Sequence, residues 1–145
     1  MRRGFEKVSG YEYVNFPKRK TKQSAGYDIE SAVNVVINPG ETKLIPTGIK
    51  AYMDENEWLG IYIRSSIAVK YGIILANSVA VIDSDYYNNP DNEGHIMIAL
   101  MNTSEMPYTV KKGDRIAQGI FHQYYKVDND SADDDRIGGI GSTGK

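Results

Sequence analysis

Asp83 follows Asn77 by six residues and precedes Tyr86 by three, so an amide, a carboxylate and an aromatic ring share one short stretch. A carboxylate within hydrogen-bond reach of a water can take its proton, which is the work of a general base. Arg64-Ser65-Ser66 offers a guanidinium and two hydroxyls at the start of a helix-compatible run, a donor set suited to an anion. Ala25-Gly26-Tyr27-Asp28-Ile29 sets an acid beside a glycine, and Gly113-Asp114-Arg115-Ile116-Ala117-Gln118 is a turn entering a strand. In the tail, Gly139-x-x-x-x-Gly144-Lys145 satisfies the first seven positions of a P-loop. A Walker site continues with Ser/Thr and a helix, whereas Lys145 is the last residue, so we expect no Walker NTPase. The tail still suits phosphate: its glycines let backbone N–H groups approach an anion, Ser142 and Thr143 add hydroxyls, and Arg136 adds a bidentate cation. Taken singly, each cluster has a plainer reading. Asp83 is a turn carboxylate, Asn77 a turn residue, Asp114-Arg115 a turn ion pair, and the tail a solubilising segment.

The elements that must position these residues read as strands. Segments rich in β-branched and aromatic residues cover 33–37, 44–49, 59–63, 72–82, 95–101 and 116–127. They are separated by turn signals such as Asn38-Pro39-Gly40, Thr47-Gly48 and Lys111-Lys112-Gly113-Asp114. Leu59, Ile61 and Ile63 alternate with Gly60 and Tyr62 at the period of a half-buried strand. Strands recurring every 8–12 residues or so predict an all-β sandwich or barrel. The exception is Ser65-Ser66-Ile67-Ala68-Val69-Lys70-Tyr71-Gly72, where a Ser cap and a Gly stop predict one short helix. From Asp128 onward an acidic run and then a Gly-rich one have nothing to bury. We therefore expect one β domain over 1–127 and a mobile arm over 128–145.

Charge and composition narrow the function. The 145 residues hold 17 Lys+Arg against 19 Asp+Glu, a net charge of -2, so no basic face for non-specific nucleic-acid binding is expected. With no cysteine, disulfides, thiolate catalysis and Cys-based zinc sites are excluded. No apolar run approaches a membrane helix or a secretory h-region, and a soluble cytoplasmic domain is expected. His95 and His122 lack ligand-like spacing and read as structural; Trp58 and most tyrosines read as core or subunit-interface residues.

The order of the five clusters carries more than any one of them. Ala25-Gly26-Tyr27-Asp28, Arg64-Ser65-Ser66-Ile67-Ala68-Val69-Lys70-Tyr71-Gly72, Val81-Ile82-Asp83-Ser84-Asp85-Tyr86, Gly113-Asp114-Arg115-Ile116-Ala117-Gln118 and Arg136-Ile137-Gly138-Gly139-Ile140-Gly141-Ser142-Thr143-Gly144 span about 120 residues. In that order they resemble the five motifs of the trimeric dUTPase (dUTP diphosphatase) family. The resemblance implies a distorted jelly-roll subunit in a homotrimer with shared active sites. It also implies Mg²⁺-dependent hydrolysis of dUTP to dUMP and pyrophosphate, which limits uracil incorporation into DNA and supplies dUMP for dTMP synthesis. Asp83 resembles the base that orients the attacking water, and Tyr86 the residue stacking on deoxyribose, where a 2′-hydroxyl would clash. Arg64, Ser65, Ser66 and Gln118 resemble phosphate contacts. Asn77, Val81, Ile82 and Met97 match substrate positions at the hairpin. Arg136, Ile140, Gly141, Ser142 and Thr143 match substrate positions in the tail. Asp28 resembles the acid that reaches the metal through water. Asp85 has no catalytic role in that pattern.

Uracil reading by a hairpin has a physical basis, because backbone groups can complement its O4 acceptor and N3–H donor. Cytosine reverses both, leaving buried groups unpaired at about 1–3 kcal/mol each. Thymine adds a methyl that a tight hairpin cannot house.

Four departures from the family stand out. Ile63 replaces a usual Pro, Ala80 a usual Gly, and Ile140 the tail Phe that covers the uracil; residues 87–93 replace a single residue after Tyr86. Asn88-Asn89-Pro90-Asp91-Asn92 reads as a protruding insertion, either a neutral one or a partner-binding loop. Two alternatives to dUTP hydrolysis stay open here: a dCTP deaminase of the same fold, and a low-activity dUTP-binding regulatory trimer.

Overall fold

The computed structural model describes residues 2–140. In chain order the elements are β1 (Gly4–Lys7), β2 (Tyr27–Glu30), β3 (Val35–Ile37), β4 (Thr42–Pro46), β5 (Ile49–Tyr52) and β6 (Glu57–Ile63). They continue with α1 (Ser65–Tyr71), β7 (Ile73–Leu75), β8 (Ala80–Asp83), a 3₁₀ turn (Ser84–Tyr86), β9 (Met97–Asn102), β10 (Tyr108–Val110) and β11 (Arg115–Gln123). All pairings are antiparallel. The strands order as β2-β11-β6-β8, β4-β9-β7, β1-β5 and β10-β3, the split sheets of a distorted jelly roll.

Alternation builds the core. Along β9, Ile98, Leu100 and Asn102 point inward while Met97, Ala99 and Met101 are part-exposed. On β8, Ala80 and Ile82 point inward while Val81 and Asp83 point out. Ile29, Ile37, Leu59, Ile61, Ile98 and Ile116 all lie below 2% exposure, and burying each such side chain is worth about 1.5–3 kcal/mol.

Two expected strands are each cut in two. The run 44–49 breaks at Thr47-Gly48, where Gly48 takes φ 72° with Tyr11 packed against it, so β4 and β5 join different sheets. The run 72–82 likewise divides into β7, paired with β9, and β8, paired with β6. These two do not pair as a simple hairpin. They are edge strands of separate sheets joined by a corner, and a cleft opens beside β8, walled on its other side by β9.

The helix forms where expected, closed by Gly72 at φ 67° with its N–H on the carbonyls of Ala68 and Ile67. Its N-cap is Arg64, not a serine, and Ser65 and Ser66 stand exposed in the first turn. No strand or helix follows Gln123 among the described residues.

Candidate active site

Strand β6 carries a site cluster at each end. Trp58, near its start, pairs with Asp83 across β8, while Arg64 follows its last residue, Ile63. Six residues of strand at about 3.3 Å each separate the two clusters by about 20 Å.

At the Asp83 end, β8 leads directly into the 3₁₀ turn, with Asp83 as its N-cap in extended conformation. A cavity of about 240 Å³ opens in the cleft beside it. The corner residue Asn77, the β8 residues Ala80, Val81 and Ile82, and Asp83, Tyr86, Met97, Arg136 and Ile140 all line it. Leu44, Ala99 and Gly139 complete the wall. The corner itself is tight: Ser78 takes φ 64°, and Val79 N–H donates to the Asn77 carbonyl at 2.7 Å. Ala80, the residue replacing a glycine, needs no left-handed backbone and turns its Cβ into the core.

Tyr86 is buried, and its hydroxyl donates to the His95 carbonyl at 2.6 Å and accepts from Asn92 Nδ2 at 2.9 Å. Burial is the main reason its phenol is pushed above the ordinary tyrosine range. The ring therefore forms a fixed wall of the cavity. Burial pulls the pKa of His95 below its ordinary value, and its Nε2 accepts the Gly48 N–H at 2.8 Å.

Residues of the tail close this end. Arg136 Nη2 lies 2.6 Å from Asp83 Oδ2 and Nε lies 2.7 Å from Asp85 Oδ1. Its guanidinium carbon sits 5.7 Å over the Tyr86 ring. Asp85, which the family pattern leaves without a role, thus shares the grip on Arg136. The signal was present as Asp83-x-Asp85, two carboxylates brought to one side by a 3₁₀ turn. Ile140, itself exposed, lines the cavity from the tail, while Gly141, Ser142 and Thr143 lie outside the described residues.

The insertion does not protrude. Tyr87 donates to Glu6, and Lys50 Nζ bonds Asn88 Oδ1 at 2.6 Å and Glu93 Oε2 at 2.8 Å. Asn89 is buried beneath it, so the segment packs against β1 and β5. Its polar side chains find partners within the fold, which a protruding loop would leave to water.

At the other end of β6, Gln118 pairs with Tyr62 on one side and Asp28 on the other. A bulge between Arg115 and Ala117 sets the phase of β11 there. Asp28 sits between two guanidiniums, Arg115 Nη1 at 3.4 Å and Arg64 Nε at 3.7 Å. Gly26 leaves the space into which the Gln118 side chain folds. Asp114 and Arg115 are not a turn ion pair: Asp114 accepts the Lys111 N–H at 2.8 Å, capping its own turn, and Arg115 turns to Asp28. Arg64, Asp28 and Gln118 therefore meet, with exposed Ser65 and Ser66 on the adjoining turn.

Among the described residues no group of three or more acidic or histidine side chains could cage a metal. Asp28 is a single part-exposed carboxylate paired with two guanidiniums, which disfavours direct coordination of a cation and leaves only a contact through water to an Mg²⁺ held by a triphosphate. Asp28 is the residue that would reach it.

A jelly-roll chain with a nucleoside-scale cavity at one end and an arginine-flanked cluster at the other has the layout of a nucleotide-hydrolysing β protein. The dUTPase family model matches residues 12–144. The deoxyuridine 5'-triphosphate nucleotidohydrolase of Lactococcus lactis is 51% identical over 98% of this chain and 97% of its own. A crystal structure of the dUTPase from Streptococcus mutans superposes with a TM-score of 0.83 at 43% identity, covering 87% of this chain and 99% of that one. A dUTPase from phage phi11 of S. aureus shares the fold, with a TM-score of 0.77 at 21% identity over 92% of this chain and 97% of that one. This chain belongs to the dUTPase family.

Proposed function

We propose that the chain hydrolyses dUTP to dUMP and pyrophosphate as a homotrimer, each active site drawing on more than one subunit. The observation that carries this reading is the cavity lined by β8 and β9, walled by Tyr86, with Asp83 and the Arg136 paired to it at its mouth. Uracil enters beside the Asn77 corner and β8, where backbone groups match O4 and N3–H, and the 2′-carbon of the sugar meets the Tyr86 ring. Asp83 takes the proton of a water whose oxygen bonds to the α-phosphorus. The bond from that phosphorus to the oxygen bridging to the β-phosphorus breaks, and pyrophosphate leaves. Arg136 exchanges its two carboxylates for the triphosphate, which removes its charge from Asp83 as substrate binds.

Arg64, Ser65, Ser66 and Gln118 lie about 20 Å along β6 from Asp83 of the same chain. We therefore assign the phosphate contacts of a given site to the neighbouring subunit's copies of these residues. Mg²⁺ on the triphosphate supplies charge neutralisation, with Asp28 reaching it through water. Residues 1–127 act as the β domain and 128–145 as an arm that closes over the nucleotide. The role is housekeeping of the cytoplasmic nucleotide pool: low dUTP, and dUMP for dTMP synthesis. A protein partner at 87–93 would have only Asn88, Pro90 and Asp91 exposed to grip.

Pyrophosphate release from dUTP, dCTP, dTTP and UTP in Mg²⁺ tests the proposal. Release from dUTP alone supports it. Ammonia from dCTP points to a deaminase, and tight dUTP binding without turnover points to a regulatory trimer.

A further inference from the structure

Asn89, buried beneath the inserted segment, fixes its neighbours through both ends of its amide. Its Oδ1 accepts the N–H groups of Asp91 at 3.0 Å and Asn92 at 3.1 Å. Its Nδ2 donates to the Tyr86 carbonyl at 2.7 Å and to Asn92 Oδ1 at 2.8 Å. Asn92 Oδ1 also accepts the Gly94 N–H at 3.1 Å. Two donors on that oxygen set which way the Asn92 amide faces, and they leave its Nδ2 aimed at the Tyr86 hydroxyl, 2.9 Å away.

The phenol is thereby held from two sides. It gives its one hydrogen to the His95 carbonyl at 2.6 Å, and its oxygen accepts from Asn92. His95 is anchored in turn, its backbone N–H donating to the Asn92 carbonyl at 3.1 Å. From outside, Lys50 holds Asn88 and Glu93, and Tyr87 holds Glu6, so the whole segment is tied to β5 and β1. Tyr86 lines the cavity; Asn92 stands behind it and does not.

A steric clash rejects a ligand only as far as the clashing wall refuses to move. A tyrosine fixed at its backbone alone can swing its ring aside for one extra oxygen. A ring whose hydroxyl is also bonded must break a hydrogen bond in a part-buried site to do so, which raises the cost of admitting the wrong sugar.

We propose that Asn92 is a positioning residue for sugar selection, pinning the Tyr86 hydroxyl so that the ring stands as a rigid wall against a 2′-hydroxyl, with residues 87–93 as the frame that carries it. The proposal rests on the reading that this cavity takes the nucleoside of dUTP. Asn92 touches neither substrate nor reacting atoms. It acts on the cost of displacing the ring, which UTP must meet and dUTP need not.

The test is the ratio of kcat/KM for dUTP to that for UTP, measured in the full chain. Asn92→Ala should lower this ratio by about 5- to 10-fold, mainly by raising the value for UTP. A misfolded fraction slows both substrates alike and cancels in the ratio, so a merely structural role for Asn92 leaves it unmoved. Tyr86→Phe keeps the ring and loses the hydroxyl, and should lower the ratio at least as far. Adding Asn92→Ala to Tyr86→Phe should then cost less than half of what it costs alone. A wild-type ratio in Asn92→Ala would overturn the proposal. So would a wild-type ratio in Tyr86→Phe, which decides the matter if Asn92→Ala does not fold. Equilibrium binding of dUMP beside UMP makes the same comparison without turnover. A wild-type chain that prefers dUMP but leaves dUTP intact ends the reading as a hydrolase, and the two variants still decide the role of Asn92 by binding. A chain that binds neither nucleotide overturns both.

Discussion

The two ends of β6 are finished to different degrees. At the Asp83 end this chain shows a formed cavity: Tyr86 is buried, Arg136 is paired twice, and the insertion is packed down. At the Arg64 end the same chain leaves Ser65 and Ser66 exposed, and Arg64 and Arg115 both pair with Asp28. Recognition of base and sugar needs a shaped, dry cavity, which one core can build. Grip on a triphosphate needs exposed cations, which on the proposed reading another subunit brings up to that cavity.

Asp83→Asn breaks the finished end at its chemistry. It should lower kcat by about 10²–10⁴-fold while the variant still binds dUTP, as read by equilibrium binding beside steady-state rates. Near-wild-type kcat would remove Asp83 from the role of base. Truncation after Asp135 takes away Arg136 and the lid together, and should cost on the order of 10²-fold in kcat/KM with the fold intact by circular dichroism. An active truncated chain would mean that the cavity works without closure.

Ile140→Phe sharpens the comparison in the other direction by adding a ring to the lid. An aromatic face over a base is worth about 0.5–1.5 kcal/mol, so KM for dUTP should fall by about 2- to 10-fold. The smallest effect concerns acid. Burial lowers the pKa of His95 below its unfolded value, so unfolded chains bind its proton first as pH drops. Stability is then fully present above about pH 6.5 and declines below it, by at most about 1.4 kcal/mol per pH unit, until the folded value is reached. Melting curves of wild type and His95→Gln between about pH 7 and pH 5 check this, and the variant should show the shallower decline.

Much of this was legible in the sequence, and what was not has physical reasons. The helix at Ser65–Tyr71, its Gly72 stop and the outward face of Asp83 follow from local pattern and turn chemistry. The division of 44–49 and 72–82 does not, because strand propensity says nothing about which sheet a strand joins. Thr47-Gly48 and the Asn77-Ser78 corner are set by packing against Tyr11 and by the separate pairing of β7 and β8. Arg115 reads as Asp114's partner because they are neighbours. Only the strand pairing of β11 with β2 brings Asp28 within its reach. The insertion reads as protruding because its composition is polar, and its polar groups turn out to face one another and Lys50.

Subunit mixing shows whether Asp83 and the Arg64 phosphate grip of one site come from different chains. Asp83→Asn and Arg64→Ala chains, each inactive alone, are refolded together at equal amounts and assayed on dUTP. If each site takes Asp83 from one chain and Arg64 from another, random assembly should leave about a quarter of the sites with both groups and restore activity in proportion. A mixture as inactive as its parents would contradict the account, placing base and phosphate grip in the same chain.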